Sequence, residues 1–445
     1  MSMRGNDLTK GPVMSTMLRF AFPMILGDLL QQCYNIADTL IVGRFLGTNA
    51  LAAVGSAFSL MTFLTSIILG LAMGSGTVFS MYFGKKDEMG LKESIIASFV
   101  ILGVVTAILN VLVFISIDWI IRALQIPVEL VSLMREYLLV IFLGLVATFL
   151  YNFFASLLRA LGNSLVPMLF LAFSAVLNIT LDIWFVAGLD WGVSGAAWAT
   201  IIAQYLSGIG IAIYARRKFP DLLGFDRSVR LRRDAMHEIA SFSSLTCLQQ
   251  SIMNLGILAV QGRVNSFGPV VMASFAAGVK IDAFAYLPVQ DFGNAFSIFI
   301  AQNHGAKEKE RIRKGIKTAF IVSSAFGIVL SLVVCIFASP LVGLFIDDPS
   351  SASLVIEEGV RYLRIEGAFY ALIGILFLLY GLYRAIERPG MSVVLTIISL
   401  GLRVVLAYAL SSIPALGVDG IWWSIPIGWV IADAFGIIYY VAKQK

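Results

Sequence analysis

Charge is scarce in this chain. Only 13% of its 445 residues are Asp, Glu, Lys or Arg, against roughly 25% in an ordinary soluble domain, while 59% are hydrophobic. So little charge cannot clothe a soluble globule of this size. Cysteine is scarcer still: Cys33, Cys247 and Cys335 all fall in apolar stretches, and the two histidines, His237 and His304, sit far apart in polar ones. No disulfide framework and no metal-ligand spacing can be drawn from them. The phosphate-cradling pattern G-x-x-x-x-G-K-[ST] is missing as well, since Gly84-Lys85 has Phe79 where the first glycine belongs, so nucleotide hydrolysis by that route is excluded. Residues 1–16 are polar, and the first apolar run is too long and too interrupted by Gln and Asp for a secretory leader; no cleaved signal peptide is expected.

What the chain has instead is hydrophobic length. Crossing about 30 Å of hydrocarbon takes about 20 helical residues. Twelve such spans are read at 17–42, 51–82, 94–117, 137–160, 166–186, 193–214, 239–260, 271–300, 319–337, 362–385, 391–410 and 418–441. The second and eighth are longer than a straight crossing needs, and Pro288 predicts a kink in the eighth. Basic residues mark the N-terminus (Arg4, Lys10, Arg19) and every second loop after it. These are Lys85, Lys86 and Lys92; Arg159; a dense set from Arg216 to Arg233 that includes Arg227 and Arg230; Lys307 to Lys317; Arg384 and Arg388; and the end at Lys443 and Lys445. The intervening loops carry Asp118, Glu129, Asp190, Asp347 and Asp348. The positive-inside rule therefore predicts that both termini are cytoplasmic.

The longest polar connection, 215–238, divides the chain near its middle, and the two halves resemble each other. Gly43-Arg44 recurs as Gly262-Arg263, 219 residues on; Gly84, Lys86 and Ile95 recur as Gly305, Lys307 and Ile316 at 221. Tyr137-Leu138, Arg159-Ala160 and the set Gly192, Gly195, Trp198 recur as Tyr362-Leu363, Arg384-Ala385 and Gly417, Gly420, Trp423 at 225. A shift this steady across six spans indicates duplication. Each half has an even number of crossings, so the halves share one orientation and are expected to be related by a pseudo-two-fold axis along the membrane normal, with a cavity between them. The predicted fold is an all-α membrane protein of twelve transmembrane helices in two six-helix lobes, 1–214 and 239–445, joined by a basic cytoplasmic linker at 215–238.

The first span carries the most unusual polar pattern. Asp28, Gln31, Gln32, Asn35 and Asp38 fall on one helical face, with Tyr34 among them. Acids in a segment fit for lipid are costly and face a bundle interior or a wet cavity. Asn178 and Asp182 sit four apart on one face of the fifth span, and Thr200 in the sixth is placed to complete a polar pocket with Asp38. In the second half, Gln249, Gln250 and Asn254 repeat the Gln/Asn stripe, but nothing acidic follows where Asp38 would fall. That half has Asp282, Asp291, Glu366 and Asp433 together with Lys280 and Arg403, which are expected to form buried pairs of structural value. The first half has acids with no base to balance them, and is the better place for an ion. Gly70 and Gly74 form a small-xxx-small pair, read as close packing. The basic central connection is read as a topology determinant, with anionic lipid as a second possible use.

Across nearly its whole length the chain resembles the multidrug and toxic compound extrusion (MATE) transporters of prokaryotic type. The resemblance is carried by Asp38-Thr-Leu-Ile-Val-Gly43-Arg44-Phe-Leu-Gly47 followed by Ala50-Leu-Ala-Ala-Val-Gly55, by Leu158-Arg159-Ala-Leu-Gly162-Asn163, and by Ala301-Gln302-Asn303-His-Gly305-Ala306. It implies a V-shaped pair of lobes, alternating access, and export of organic cations or other amphiphiles against inward flow of H⁺ or Na⁺. It also implies a protonation or cation site, with possible Na⁺, at Asp38, Asn178 and Asp182, with Tyr34 and Thr200 beside it. Relatives that place Na⁺ on an acid in the seventh span have no counterpart here, because 239–260 contains none. The first half's Arg159-Ala-Leu-Gly162-Asn163 is answered by Arg384-Ala-Ile-Glu387-Arg388-Pro389, so that loop is expected to differ in conformation.

The reading is thus a secondary antiporter of a bacterial or archaeal cytoplasmic membrane. It is expected not to be an enzyme, to need no cofactor beyond H⁺ or Na⁺ as coupling ion, to contact membrane lipids but no nucleic acid, and to act as a monomer. Candidate substrate-cavity residues are Asp28, Gln31, Tyr34, Asn35, Gln249, Asn254, Asp282 and Glu366. Two alternatives are weighed. A lipid-linked precursor flippase of the same superfamily would need a more cationic cavity than Lys280 and Arg403 supply. An intramembrane aspartate-dependent transferase would need the D-x-x-D spacing that no span holds.

Overall fold

The computed structural model describes residues 6–123, 126–224, 232–345 and 352–444. Arg4, Arg227, Arg230, Asp347, Asp348 and Lys445, used above for orientation, lie outside these. Among the described residues the chain is helical with no strand. In order the helices are α1 (Val13–Lys85), α2 (Glu88–Ala123), α3 (Val128–Ile141), α4 (Gly144–Ala160), α5 (Leu165–Asp182), α6 (Gly192–Lys218), the single turn α7 (Pro220–Leu223) and α8 (Arg233–Asn265). They continue as α9 (Pro269–Gly305), α10 (Lys309–Ile336), the short α11 (Ala338–Gly343), α12 (Ala352–Gly367), α13 (Tyr370–Ala385), α14 (Pro389–Thr396), α15 (Leu402–Ser411) and α16 (Asp419–Gln444). A π-helical run, Ile183–Gly188, continues α5, and another, Ile397–Gly401, joins α14 to α15.

Among the described residues eight helices are long and apolar enough to cross a membrane, and ten spans result when each of two bent pairs is taken as one. Two further crossings complete the twelve. One arises because α1 is two helices joined across Gly47, whose φ of 83° and ψ of −178° are not helical. The other is α8, which fails a simple hydropathy test because it carries Gln249, Gln250 and Asn254. Pro288 lies inside the uninterrupted α9, and Pro23 and Pro426 lie similarly inside α1 and α16.

Contacts divide the chain into two compact units, Met1–Leu8 with Phe22–Cys247 and Thr9–Ala21 with Leu248–Lys445. The division falls inside α1 and inside α8. In the first unit the second half of α1 packs on the start of α8 so closely that a Cβ on Gly70 would stand 2.6 Å from Cys247 Cα, and one on Gly74 2.5 Å from the Phe242 carbonyl. This is the close packing read from the small-xxx-small pair, and a buried hydroxyl contact between Ser75 and Ser243 at 2.9 Å closes the seam. The core of the second unit is more aromatic. Phe275 stacks on Trp422 with centroids 5.6 Å apart, Tyr362 meets the same indole edge-on at 4.8 Å, and the Trp422 N–H donates to Glu358 at 2.8 Å.

The duplication is written in the backbone. Left-handed residues recur in pairs: Gly47 (φ 83°) with Gly268 (φ 96°), Lys86 (57°) with Lys307 (60°), Gly162 (80°) with Glu387 (62°), and Gly192 (62°) with Gly417 (50°). The chain from Gly43 to Gly47 is two residues shorter than that from Gly262 to Gly268, which is why the sequence offset steps from 219 to 221. One expectation fails here. The loop after Ala385 does not differ from that after Ala160: the Asn163 N–H bonds back to the Leu158 carbonyl at 2.9 Å, and the Arg388 N–H to the Tyr383 carbonyl at 2.8 Å. Both are the same helix-ending turn. Gly162 is required for space, because a Cβ would lie 1.9 Å from the Asn6 carbonyl. Glu387 tolerates the left-handed backbone and places its carboxylate 3.6 Å from His304.

The fourth and tenth spans are each bent, by 43° between α3 and α4 and by 49° between α12 and α13. Side chains bond to the backbone at the first bend: Asn110 donates at 2.8 Å to the Phe142 carbonyl, which also accepts from the Leu145 N–H at 3.2 Å, and Tyr205 donates to the Leu143 carbonyl at 2.9 Å.

Candidate functional site

In the first unit, α1 and α5 bring Asp38 and Asp182 within side-chain hydrogen-bonding reach of each other. The helical period that places Asp38 on the polar stripe of α1 also turns Ile36 and Leu40 outward, where both are exposed. Asp182 is fully buried, at 0% exposure, and is the last residue of α5 before the π-helical run. Such runs widen a helix locally and occur often at functional sites. One turn earlier, Asn178 (2% exposed) donates to Thr200 Oγ1 at 3.3 Å, and Thr200 in turn donates to the Ala196 carbonyl at 3.1 Å.

The oxygens are underused. Asp38 Oδ1, both carboxyl oxygens of Asp182 and Asn178 Oδ1 are buried with no protein hydrogen-bond partner. Carboxylates only accept, so two of them facing each other need a proton or a cation between them. The oxygen-only donor set suits a hard cation. Tyr34 lies among Asp38, Asp182 and Tyr151. Tyr137 lies beside the same two acids and Tyr34. Sequence reasoning used Tyr137 only as a marker of the duplication; its recurrence as Tyr362 was the signal that could have singled it out.

The other predicted residues fall elsewhere. Asp28 is half-buried and close to Tyr151, whose hydroxyl donates to the Pro167 carbonyl at 3.0 Å. Gln31 and Asn35 are half-buried on α1, and Asn35 reaches Gln32 at 3.5 Å. In the second unit, Asp282 accepts hydrogen bonds from Tyr362 and Tyr370 and lies close to Glu366 and Arg403. Arg403 stands near this acidic pair, with its Nε buried and without a hydrogen-bond partner. Lys280 does not: it is exposed, with its ammonium 5.6 Å over the Phe345 ring. Gln249 is buried in another part of the same unit and Asn254 is half-buried. Among the described residues no cluster of three or more His, Cys, Asp or Glu side chains could hold a metal.

One family model, MatE, matches residues 23–184 and again 245–409, once in each half. The chain belongs to the MatE family. It is 29% identical over 440 residues to the probable multidrug resistance protein YpnP of Bacillus subtilis strain 168, covering 98% of this chain and 97% of that protein. To YoeA, another probable multidrug resistance protein of the same strain, it is 27% identical over 452 residues, covering 98% and 96%. A solved MATE structure in complex with MaL6 superposes with a TM-score of 0.93 at 23% identity, covering 99% of this chain and 98% of that one. The MatE fold of twelve transmembrane helices in two six-helix lobes is thus the fold of this multi-pass membrane protein.

Within the family frame the quoted motifs divide by role. Ala301-Gln302-Asn303 is structural: Gln302 and Asn303 are fully buried, and Asn303 Oδ1 accepts from Arg311 at 3.1 Å while the same guanidinium holds the Gly11 carbonyl at 2.6 Å. The MatE stretch that begins at Asp38 contributes a carboxyl to the acidic pair and the glycine of the α1 break.

Proposed function

We propose that this MatE protein is a secondary antiporter of the cytoplasmic membrane that exports amphiphilic, cationic compounds in exchange for H⁺ or Na⁺ by alternating access. Asp38, Asp182, Asn178 and Thr200 form the ion-coupling site in this reading. Both termini and the basic connection 215–238 face the cytoplasm, and the functional unit is the monomer. The observation that carries the proposal is the pair Asp38–Asp182, whose buried, orphaned oxygens have no base beside them among the described residues.

The chemistry follows from the donor set. With both carboxyls ionised, mutual repulsion drives α1 and α5 apart or draws in a cation. A proton placed between them lets one carboxyl donate to the other and draws the helices together. Ion arrival therefore changes the preferred packing of α1 against α5, and the π-helical run after Asp182 is the segment best able to take up the change of register. Transport requires that the ion bind the two access states with different affinity. Tyr34 and Tyr137 supply ring faces and hydroxyls beside the pair, suited to an organic cation that arrives when the acids are ionised.

The test is uptake of ethidium into inside-out vesicles carrying wild type, Asp38→Asn or Asp182→Asn, each under a separately imposed pH or Na⁺ gradient. Gradient-driven uptake by the wild type, lost in both variants, is the expected result, and the gradient that drives it names the ion. Wild-type uptake surviving in both variants would overturn the assignment of the site.

A further inference from the structure

Asp433 stands at the middle of α16, 4% exposed, with both carboxyl oxygens buried and without a hydrogen-bond partner. The sequence led to the expectation that the second half's acids pair with Lys280 and Arg403; this one pairs with neither. Helix α16 packs on α12, α13, α14, α15 and the π-helical run Ile397–Gly401. Of the titratable side chains on those elements, Tyr380 alone lies beside Asp433 among the described residues. The bases have other partners: Arg384 donates to Ser297 and Asn294, Arg361 pairs with Glu358 and Asp419, and Arg403 stands near Asp282 and Glu366. The Tyr383 hydroxyl is committed to the Gly436 carbonyl at 2.5 Å. Neither α14 nor the π-helical run carries a titratable side chain.

An ionised carboxylate in such a place carries a desolvation cost that no neighbour offsets. A proton removes that cost and makes the group a donor as well as an acceptor. The Tyr380 hydroxyl, itself within side-chain hydrogen-bonding reach of Thr396 and Ser399, is the polar neighbour such a neutral carboxyl needs. The acid is no demand of the frame. Its duplicated position, 225 residues earlier, is Gly208 on α6, so the first unit is built without an acid there. The seam around Asp433 is tight: a Cβ on Gly428 would stand 2.6 Å from the Ser399 carbonyl of the π-helical run, and such runs occur often at functional sites. An ionised Asp433 would require water or a cation in that seam, whereas a neutral one lets it stay shut.

We infer that Asp433 is a second proton-binding site of this protein, additional to Asp38 and Asp182, and that its proton keeps α16 closed on the π-helical run. Proton binding at Asp433 does not depend on the transporter reading; a share in transport does. It is read by pH-difference infrared spectra of the full chain in phosphatidylcholine nanodiscs. The wild type is expected to show a protonated-carboxyl C=O band that fades as pH rises and is lost in Asp433→Asn. Tyr380→Phe keeps the acid and removes the neighbouring hydroxyl, so it is expected to shift the band without abolishing it; this variant carries the test if Asp433→Asn does not fold. An Asp433→Asn spectrum identical to wild type overturns the site, as does an unshifted band in Tyr380→Phe. A band lost in Asp433→Asn that no change of pH moves would make the acid a permanently neutral packing group, and removal of the band by NaCl at constant pH would make it a metal-cation ligand; each overturns the proposal. Absence of ethidium transport by wild type would sink the transporter reading and leave the titrating band standing.

Discussion

The two units use one backbone plan to hold two different acidic clusters. In the first, Asp38 and Asp182 face each other with tyrosines nearby and no base. In the second, Asp282 takes two tyrosine hydroxyls and shares Arg403 with Glu366. Several of these positions are related by the same 225-residue offset. Tyr137 corresponds to Tyr362, and Asn178 to Arg403, while Asp182 corresponds to Ala407. Duplication thus supplied a frame, and a few substitutions turned one copy toward an acid pair with no base and the other toward an acid pair with an arginine and two tyrosine donors. On the proposed reading the pair without a base is the one that responds to an arriving ion, while the arginine and tyrosines of the other lower the cost of burying its acids.

The sharpest way to break this contrast is to transplant it. Asn178→Arg puts the base of the second unit beside Asp182, and gradient-driven ethidium uptake is expected to fall about 5- to 150-fold, the span of a typical coupling energy. Folding is checked by size-exclusion elution. Uptake at the wild-type level would show that an unbalanced pair is not needed. The reciprocal change, Arg403→Asn, leaves Asp282 and Glu366 without their cation and is expected to cost on the order of 3 kcal/mol, read as a lower melting temperature in detergent. A smaller difference should separate the two tyrosines. Tyr362→Phe removes a donor from a buried carboxyl and should cost about 1.5–3 kcal/mol, whereas Tyr137→Phe should cost clearly less; equal losses would mean that both acids depend on their tyrosines alike. The smallest effect belongs to the paired turns. Glu387→Gly removes roughly 1–2 kcal/mol of left-handed strain and adds about 0.5–1 kcal/mol of chain entropy cost, so it should stabilise slightly, while Gly162→Ala, with the Asn6 carbonyl in its way, should destabilise by more than about 1 kcal/mol.

The bilayer explains why so much of the fold was legible. Span length and apolarity are fixed by the solvent, so α2, α6, α8 and α10 could be located from composition, and the Gln and Asn residues of α8 then echo the stripe of the first span. The acids on α1 and α5 could be read because an ionisable side chain in a span has few inexpensive explanations. What escaped was set by local backbone bonding. The bends at 141–144 and 367–370 have only Gly144 and Gly367 to announce them. Glu387 was misjudged because a glycine is the usual mark of a left-handed turn, whereas here the two bonds closing the turn decide the geometry and the side chain merely tolerates it. Arg384 was taken for a loop charge that reports orientation. The span read at 362–385 ends where α13 ends, and the arginine in that last turn is buried.

The bend between α3 and α4 is a joint working without lubricant. In water a broken helix can flex because solvent fills each gap as it opens. Hydrocarbon offers nothing of the kind, and a carbonyl bared to lipid would resist every degree of motion. Asn110 and Tyr205, reaching the Phe142 and Leu143 carbonyls from α2 and α6, serve as the joint's private solvent. They keep these two carbonyls bonded at the bend and tie that one helix to two of its neighbours.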